Sequence, residues 1–149
     1  MTAIVNAIFL AALSQIESGD NDQAIGKAGE VSRWQCRAQF YAGKHPSDPD
    51  EARPLVFKLL ESRCEKFAAA NHRNPTPVEI ELLWNRPAHV LHPSNRELER
   101  ARRFENLVNA FSSDPCQMPA SRTISGSHRP ACIPTSLPAG SASPRPAVR

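Results

Sequence analysis

A single carboxylic acid stands where it could exchange protons with a bound molecule. Glu17 follows the apolar residues 3–13 by one helical turn and directly precedes Ser18 and a polar, glycine-containing loop. If the apolar run is a helix, Glu17 lies in its last turn, where unpaired carbonyls present about half a negative elementary charge. A second anion is disfavoured there, so the position favours a carboxyl that keeps its proton. Such a group is the general acid that glycosidic cleavage requires, because the leaving oxygen must be protonated as the bond breaks.

Two residues of the following loop are candidates for contact with the same molecule. Glu30 follows Gly29 and could aid water or substrate binding as a second carboxylate; its alternative is a solvated loop acid. Trp34 could stack on the face of a sugar, and its alternative is a place in the core. The sequence favours the solvated loop acid for Glu30 and leaves the choice for Trp34 open.

Helical patterns account for the elements that must position these residues. Apolar positions recur at helical spacing from Val5 to Ile16, and Gly19 then supplies a stop signal. A second helix is predicted from "SDPDEARP" through Phe67. The segment "TPVE" predicts a capping box and a third helix that ends before Pro87. The fold class is therefore mainly α.

The last helix is predicted to begin at "SNRE", a second capping box, and to bury an apolar face that ends at Phe111. Its basic residues, Arg100, Arg102 and Arg103, alternate with acids and predict a solvated helix face. Residues 20–46 contain no convincing strand and no clear helix. Long irregular stretches inside domains are commonly functional.

The charge distribution separates two regions. Residues 1–112 hold 14 basic and 14 acidic residues, whereas residues 113–149 hold four Arg and one Asp. Because the basic excess lies outside the predicted domain, the sequence argues against a nucleic-acid partner. Residues 113–149 also contain seven Pro and seven Ser and no aromatic residue. This composition predicts a disordered tail after a domain at 1–112.

Three segments in order resemble the lytic transglycosylases and goose-type lysozymes of the lysozyme-like superfamily. Their pattern is a helix ending in a catalytic Glu and a Ser, a polar loop closed by Gln, and a later helix ending in an aromatic-Asn pair. Here "IESGDNDQAIGKAGEVSRWQ" supplies Glu17, Ser18 and Gln35, and "ELLWNRPA" supplies Trp84 and Asn85. The match spans about residues 4–108 of the chain.

The resemblance implies a lysozyme-like helical domain that binds peptidoglycan glycan strands as a monomer and needs no cofactor or metal. Glu17 would protonate the oxygen between N-acetylmuramic acid and N-acetylglucosamine. The muramyl 6-hydroxyl would then close a 1,6-anhydro ring in a transglycosylase, and water would attack in a hydrolase. Ser18, Gln35 and Asn85 would contact the glycan.

The chain departs from the family pattern at three positions. Ser32 stands where the family usually has Gly, and Arg86 and Pro87 replace a small residue and Gly after the Asn. These departures motivate a second hypothesis, a non-catalytic glycan-binding or secretion-associated module on the same fold.

Location and the remaining polar residues give weaker signals. The resemblance implies a periplasmic or extracellular place, yet the first basic residue is Lys27, so no clear signal peptide is visible, and the apolar run is too short to span a bilayer. For Cys36 and Cys64 the sequence favours buried free thiols over a disulfide. For Asp20 and Asp22 the sequence favours a role in a turn or a helix cap over a cation site.

Overall fold

The computed structural model describes residues 4–114 and is mainly α-helical, as predicted. In chain order its elements are α1 (Ala7–Ser18), β1 (Glu30–Val31), β2 (Cys36–Arg37), α2 (Pro49–Asn71), α3 (Pro77–Asn85) and α4 (Asn95–Ser113). Short 3-10 turns cover Ala38–Tyr41 and Pro87–His89. The predicted tail falls outside the described residues except for its first two, and Ser113 closes α4.

The ends of α1 are set by local capping groups. The side chain of Asn6 accepts a hydrogen bond from the backbone N–H of Phe9 at 3.0 Å. At the other end Gly19 has φ 65° and donates its backbone N–H to the carbonyl of Gln15 at 3.0 Å. A left-handed residue at this position favours glycine and stops the helix. Glu17 therefore lies in the last turn, as the sequence predicts.

Both predicted capping boxes are present. Thr76 caps α3, with its hydroxyl accepting from the N–H of Glu79 and its own N–H donating to the Glu79 carboxylate at 2.8 Å. Ser94 and Glu97 make the same pair of contacts at the start of α4. Each box satisfies two backbone donors that the helix itself leaves unpaired.

A two-stranded antiparallel hairpin occupies the stretch for which the sequence predicted no regular structure. Glu30 pairs with Arg37 and Val31 pairs with Cys36. Each strand has only two residues, so no alternating pattern could reveal it. The hairpin orders the second half of the loop that follows α1.

The core lies between the four helices and the hairpin. Helix α4 packs against α1 and α3, and α2 packs against α3. Cys36 and Cys64 are buried free thiols, as the sequence favoured. Burial raises the pKa of Cys36 to about 11 and that of Cys64 to about 12, so both stay neutral. The large, fully buried side chains include Leu13, Tyr41, Leu60, Ile80 and Phe104.

Candidate functional site

The carboxyl of Glu17 leaves the end of α1 and is held by side chains from two other helices. Its Oε1 accepts a hydrogen bond from Asn85 Nδ2 at 2.9 Å, and its Oε2 lies 2.7 Å from Arg100 Nη2. Only 7% of the Glu17 side chain is exposed. The structure thus joins two site residues that are 68 positions apart in the sequence.

Asn85 connects Glu17 to a second carboxyl. The same Nδ2 that donates to Glu17 also donates to Oε1 of Glu81 at 2.7 Å. Glu81 and Asn85 lie four residues apart on α3 and therefore share a helix face. The end of α3 is fixed by Arg63, whose Nη1 donates to the carbonyls of Leu83 and Trp84 at 2.9 and 2.6 Å.

Glu81 is a buried carboxyl that sequence reasoning missed. Its residue is 1% exposed, and its Oε1 also accepts from Arg100 Nε at 2.7 Å. Burial raises its pKa, the Arg100 guanidinium opposes that rise, and the charge of Glu17 adds to it. A signal did exist, since Glu81 is the one charged residue in the apolar stretch "IELLW" and stands one turn before Asn85. We call Glu17, Glu81, Asn85 and Arg100 the acid cluster.

The prediction that Arg100 lies on a solvated face of α4 holds only in part, because 40% of its side chain is exposed but its guanidinium also contacts two carboxyls. Spacing along one helix cannot reveal this, because the partners come from α1 and α3. For Arg103 the prediction is confirmed, since its Nη2 binds the exposed Glu99 at 2.7 Å.

Arg100 also changes the electrostatics that the sequence led us to expect at Glu17. The last turn of a helix disfavours an anion, whereas an adjacent guanidinium favours one. The sequence predicted a carboxyl that keeps its proton, and a guanidinium beside that carboxyl argues against the prediction. The structure adds a cation at 2.7 Å that acts in the opposite sense.

Asn85 and Arg86 line two cavities, which together we call the cleft. The first cavity, of about 640 Å³, lies between the end of α3 and the first turns of α4, and Glu81 and Arg100 line it. The second cavity, of about 560 Å³, is lined by residues that include Glu30, Gln35, Trp84 and Asn85. Glu17 lines neither cavity; it contacts Asn85 and Arg100, which do.

The predicted glycan contacts Gln35 and Glu30 lie in the second cavity, where backbone contacts fix their side chains. Gln35 Nε2 donates to the carbonyls of Ser32 and Ala24 at 2.8 and 3.3 Å. The Glu30 carboxylate accepts from the N–H of Ala28 at 3.0 Å. A Cβ on Gly26 would come within 2.5 Å of Gln35 Oε1, so the Gln35 side chain would have to move to accept any other residue there.

The structure contradicts the assignment of Trp34 to sugar stacking. The residue is 2% exposed, and its Nε1 donates to the carbonyl of Leu10 at 3.1 Å. A buried ring offers no face to a sugar, so the core alternative is correct.

Ser18 uses its hydroxyl within the protein. The hydroxyl donates to the carbonyl of Arg33 at 3.0 Å and accepts from the N–H of Asn21 at 3.1 Å. These bonds tie both ends of the loop to the end of α1. Ser18 therefore supports the position of the loop beside Glu17.

Ser32 and the loop acids have structural partners. Ser32 has φ 70°, and its hydroxyl is 2.6 Å from that of the buried Tyr41. Asp22 binds Nε and Nη2 of Arg33 at 2.5 and 2.7 Å, and Asp20 lies 3.7 Å from the same guanidinium. The side chains of both acids therefore pair with Arg33, whereas the sequence favoured a turn or capping role for them. Within residues 4–114 no group of ligating side chains is arranged to hold a metal ion.

Comparisons with protein-family models, curated proteins and solved structures gave no match for this chain. Between residues 4 and 114 no helix is long and apolar enough to cross a membrane.

Proposed function

We propose that the chain is a peptidoglycan-cleaving glycosidase, most simply a lytic transglycosylase, with Glu17 as its acid and base. One observation supports this proposal above the others. Glu17 from α1 hydrogen-bonds Asn85 from α3, and Asn85 lines a cavity together with Gln35 from the loop. The three segments that resemble the family pattern therefore converge in space.

The proposed reaction uses one carboxyl twice. Protonated Glu17 donates its proton to the glycosidic oxygen as the bond to the anomeric carbon of N-acetylmuramic acid breaks. The muramyl 6-hydroxyl then attacks that carbon and passes its proton to the Glu17 carboxylate, which closes a 1,6-anhydro ring. In a hydrolase, water takes the place of the 6-hydroxyl. Asn85 and Gln35 would hydrogen-bond sugar hydroxyl or acetamido groups.

The charge of the acid cluster is compatible with a protonated acid. Glu17 and Glu81 share one cation, Arg100, so two ionised carboxylates would leave one net negative charge in a site where both are nearly buried. Burial disfavours such a charge. Binding one proton makes the cluster neutral.

A specific observation favours a second candidate, the non-catalytic glycan-binding or secretion-associated module. A carboxylate paired with a guanidinium is a poor proton donor, and Arg100 lies 2.7 Å from Glu17. Arg86, one of the departures from the family pattern, lines both cavities of the cleft. Such a module would bind glycan strands and release no product.

The two candidates are separated by the loss of turbidity of a peptidoglycan suspension. We expect Glu17→Gln to lower the rate at least about 100-fold, because the amide keeps the shape but has no proton to donate. Glu105→Gln on α4, outside the acid cluster, serves as the matched control and should match the wild type. Equal rates for wild type and Glu17→Gln would exclude catalysis by Glu17. Binding to insoluble peptidoglycan without soluble product would favour the module, and no binding at all would contradict both.

The proposed substrate implies a location for the protein. Peptidoglycan lies outside the inner membrane, so we propose that the chain works in the periplasm or outside the cell, as a monomer on glycan strands.

A further inference from the structure

The acid cluster contains two residues for which the proposed reaction has no role. Glu81 and Arg100 contact each other at 2.7 Å, and Arg100 and Asn85 both contact the carboxyl of Glu17. A buried carboxyl and a guanidinium in this position affect the protonation of any neighbouring acid.

We propose that Glu81 is a positioning residue that shares one proton with Glu17. Arg100 and Asn85 bind both carboxyls, and Glu17 holds the proton when Glu81 is ionised. This inference rests on the proposed function of Glu17. It assigns to Glu81 a role that the resemblance does not imply.

The same two side chains, Asn85 and Arg100, bind both carboxyls. Asn85 Nδ2 donates to Oε1 of both, at 2.9 and 2.7 Å, so these oxygens are no farther apart than the sum of the two distances. Arg100 likewise presents Nε to Glu81 and Nη2 to Glu17, both at 2.7 Å. Two like charges so close in a nearly buried site raise the free energy of the doubly ionised state.

One proton can then lie on either of the two carboxyls. When Glu81 is ionised, it neutralises Arg100, and Glu17 can hold the proton that the glycosidic oxygen needs. When Glu81 holds the proton, Arg100 pairs with an ionised Glu17, which cannot protonate the glycosidic oxygen. The cluster carries one proton in both arrangements.

Other charged groups surround α3 and the cavity: Arg86 lies 3.9 Å from Glu97, and Arg103 binds Glu99. On the α2 side of α3, Arg63 donates to the carbonyls of Leu83 and Trp84. The pKa of Glu81 is raised by burial first and by the charge of Glu17, against the effect of Arg100. The remaining charged residues that line the same cavity are Arg86, Arg96, Glu97, Glu99 and Arg103.

A titration of the whole protein tests the shared proton without relying on activity. The δ-carboxyl carbons of the full chain, labelled with ¹³C-glutamate, are followed by NMR from about pH 3 to 9, with Glu81 assigned by its loss in Glu81→Gln. We expect Glu17→Gln to move the Glu81 midpoint to lower pH, because a neighbouring negative charge is removed. The control Glu105→Gln should leave that midpoint unchanged. A Glu81 midpoint that is the same in Glu17→Gln and wild type would overturn the inference.

The pH profile of peptidoglycan cleavage tests the positioning role. In Glu81→Gln, Arg100 has only Glu17 as a partner, so activity at pH 7 should fall about tenfold or more relative to activity at pH 5. Arg100→Gln should move the profile in the opposite direction, and Arg102→Gln on the same helix should not move it. An unchanged profile, or an equal loss at every pH, would contradict the positioning role. If the wild type cleaves nothing, the proposed function fails, and the NMR titration still decides whether a proton is shared.

Discussion

Ser32 combines two effects of opposite sign in one residue. Its φ of 70° lies in the left-handed region that costs a non-glycine residue about 1–3 kcal/mol. Its hydroxyl, 2.6 Å from that of Tyr41, provides a buried hydrogen bond worth about 0.5–1.5 kcal/mol. A glycine at this position, as in the family pattern, would avoid the backbone strain and would lack the hydrogen bond to Tyr41.

Two substitutions of Ser32 separate these effects. We expect Ser32→Ala to lower the free energy of unfolding by about 1–3 kcal/mol, because the strain stays and the Tyr41 hydroxyl loses its partner. Ser32→Gly loses the same bond but relieves the backbone, so it should be about 1 kcal/mol more stable than the alanine variant. Urea unfolding of the two variants measures the difference. A glycine variant less stable than the alanine variant would show that the backbone is not strained.

Trp34 allows a test of core packing against sugar binding. Trp34→Phe removes the bond from Nε1 to the carbonyl of Leu10 and part of a buried ring. We expect a loss of about 1–3 kcal/mol in the free energy of unfolding. Retention on insoluble peptidoglycan should stay as in the wild type, because the ring is not accessible. Weaker retention by a fully folded variant would restore the stacking role.

Single residues show why the site was only partly predictable. Glu17 could be found because a helix end is a local feature, whereas Asn85 came from the resemblance. Glu81 and Arg100 were missed as members of the cluster, because their roles depend on a contact between α3 and α4. Local spacing carries no information about such a contact.

At the scale of elements, the capping boxes make helix stability depend on pH. Arg73 first, and then the capping contacts with Thr76, lower the pKa of Glu79 to about 2. Contacts with Ser94 lower the pKa of Glu97 to about 2. A carboxyl whose pKa is lower in the folded state stabilises the fold above its ordinary value and loses that contribution as the pH falls through the folded value. The window therefore runs from about pH 4.5 down to about 2.

The variant Glu79→Gln tests this dependence on one helix. Glutamine can keep the capping hydrogen bonds but has no charge to lose. We expect the free energy of unfolding to fall less steeply between pH 4.5 and 2 in the variant than in the wild type. Urea unfolding at several acidic pH values measures the slope, with Glu105→Gln as the control. Equal slopes in Glu79→Gln and wild type would contradict the assignment.

The elements were predictable where their signals are local. Gly19 after α1, Thr76 with Glu79 before α3, and Ser94 with Glu97 before α4 act through neighbours within four residues. The hairpin escaped prediction because its strands are too short to show a period. Its pairing depends on the loop contacts around it.

At the scale of the whole molecule, the cleft arises where α3, α4 and the loop after α1 meet. No sequence pattern could place these surfaces together, although the family pattern predicted that three of their segments would share a site. Residues 1–112 carry equal numbers of acidic and basic residues, so the proposed glycan recognition relies on hydrogen bonds more than on net charge.

Salt dependence of peptidoglycan retention tests that statement. Between 50 and 200 mM salt we expect retention to change by less than about twofold. A protein that makes six to ten phosphate contacts would lose about 10³–10⁵ in affinity over the same range. Retention that is lost as salt is added would show that the basic residues of 113–149, and not the cleft, bind the ligand.

The most direct measurement is mass spectrometry of the soluble products that the full chain releases from purified peptidoglycan. We predict muropeptides with a 1,6-anhydro muramyl end, lighter by one water than hydrolysis products, from the wild type and none from Glu17→Gln. Hydrolysed muramyl ends that depend on Glu17 would show that Glu17 is the acid and that water, not the muramyl 6-hydroxyl, is the nucleophile. No soluble product from the wild type, or the same products from both proteins, would contradict the central claim that Glu17 cleaves glycan strands.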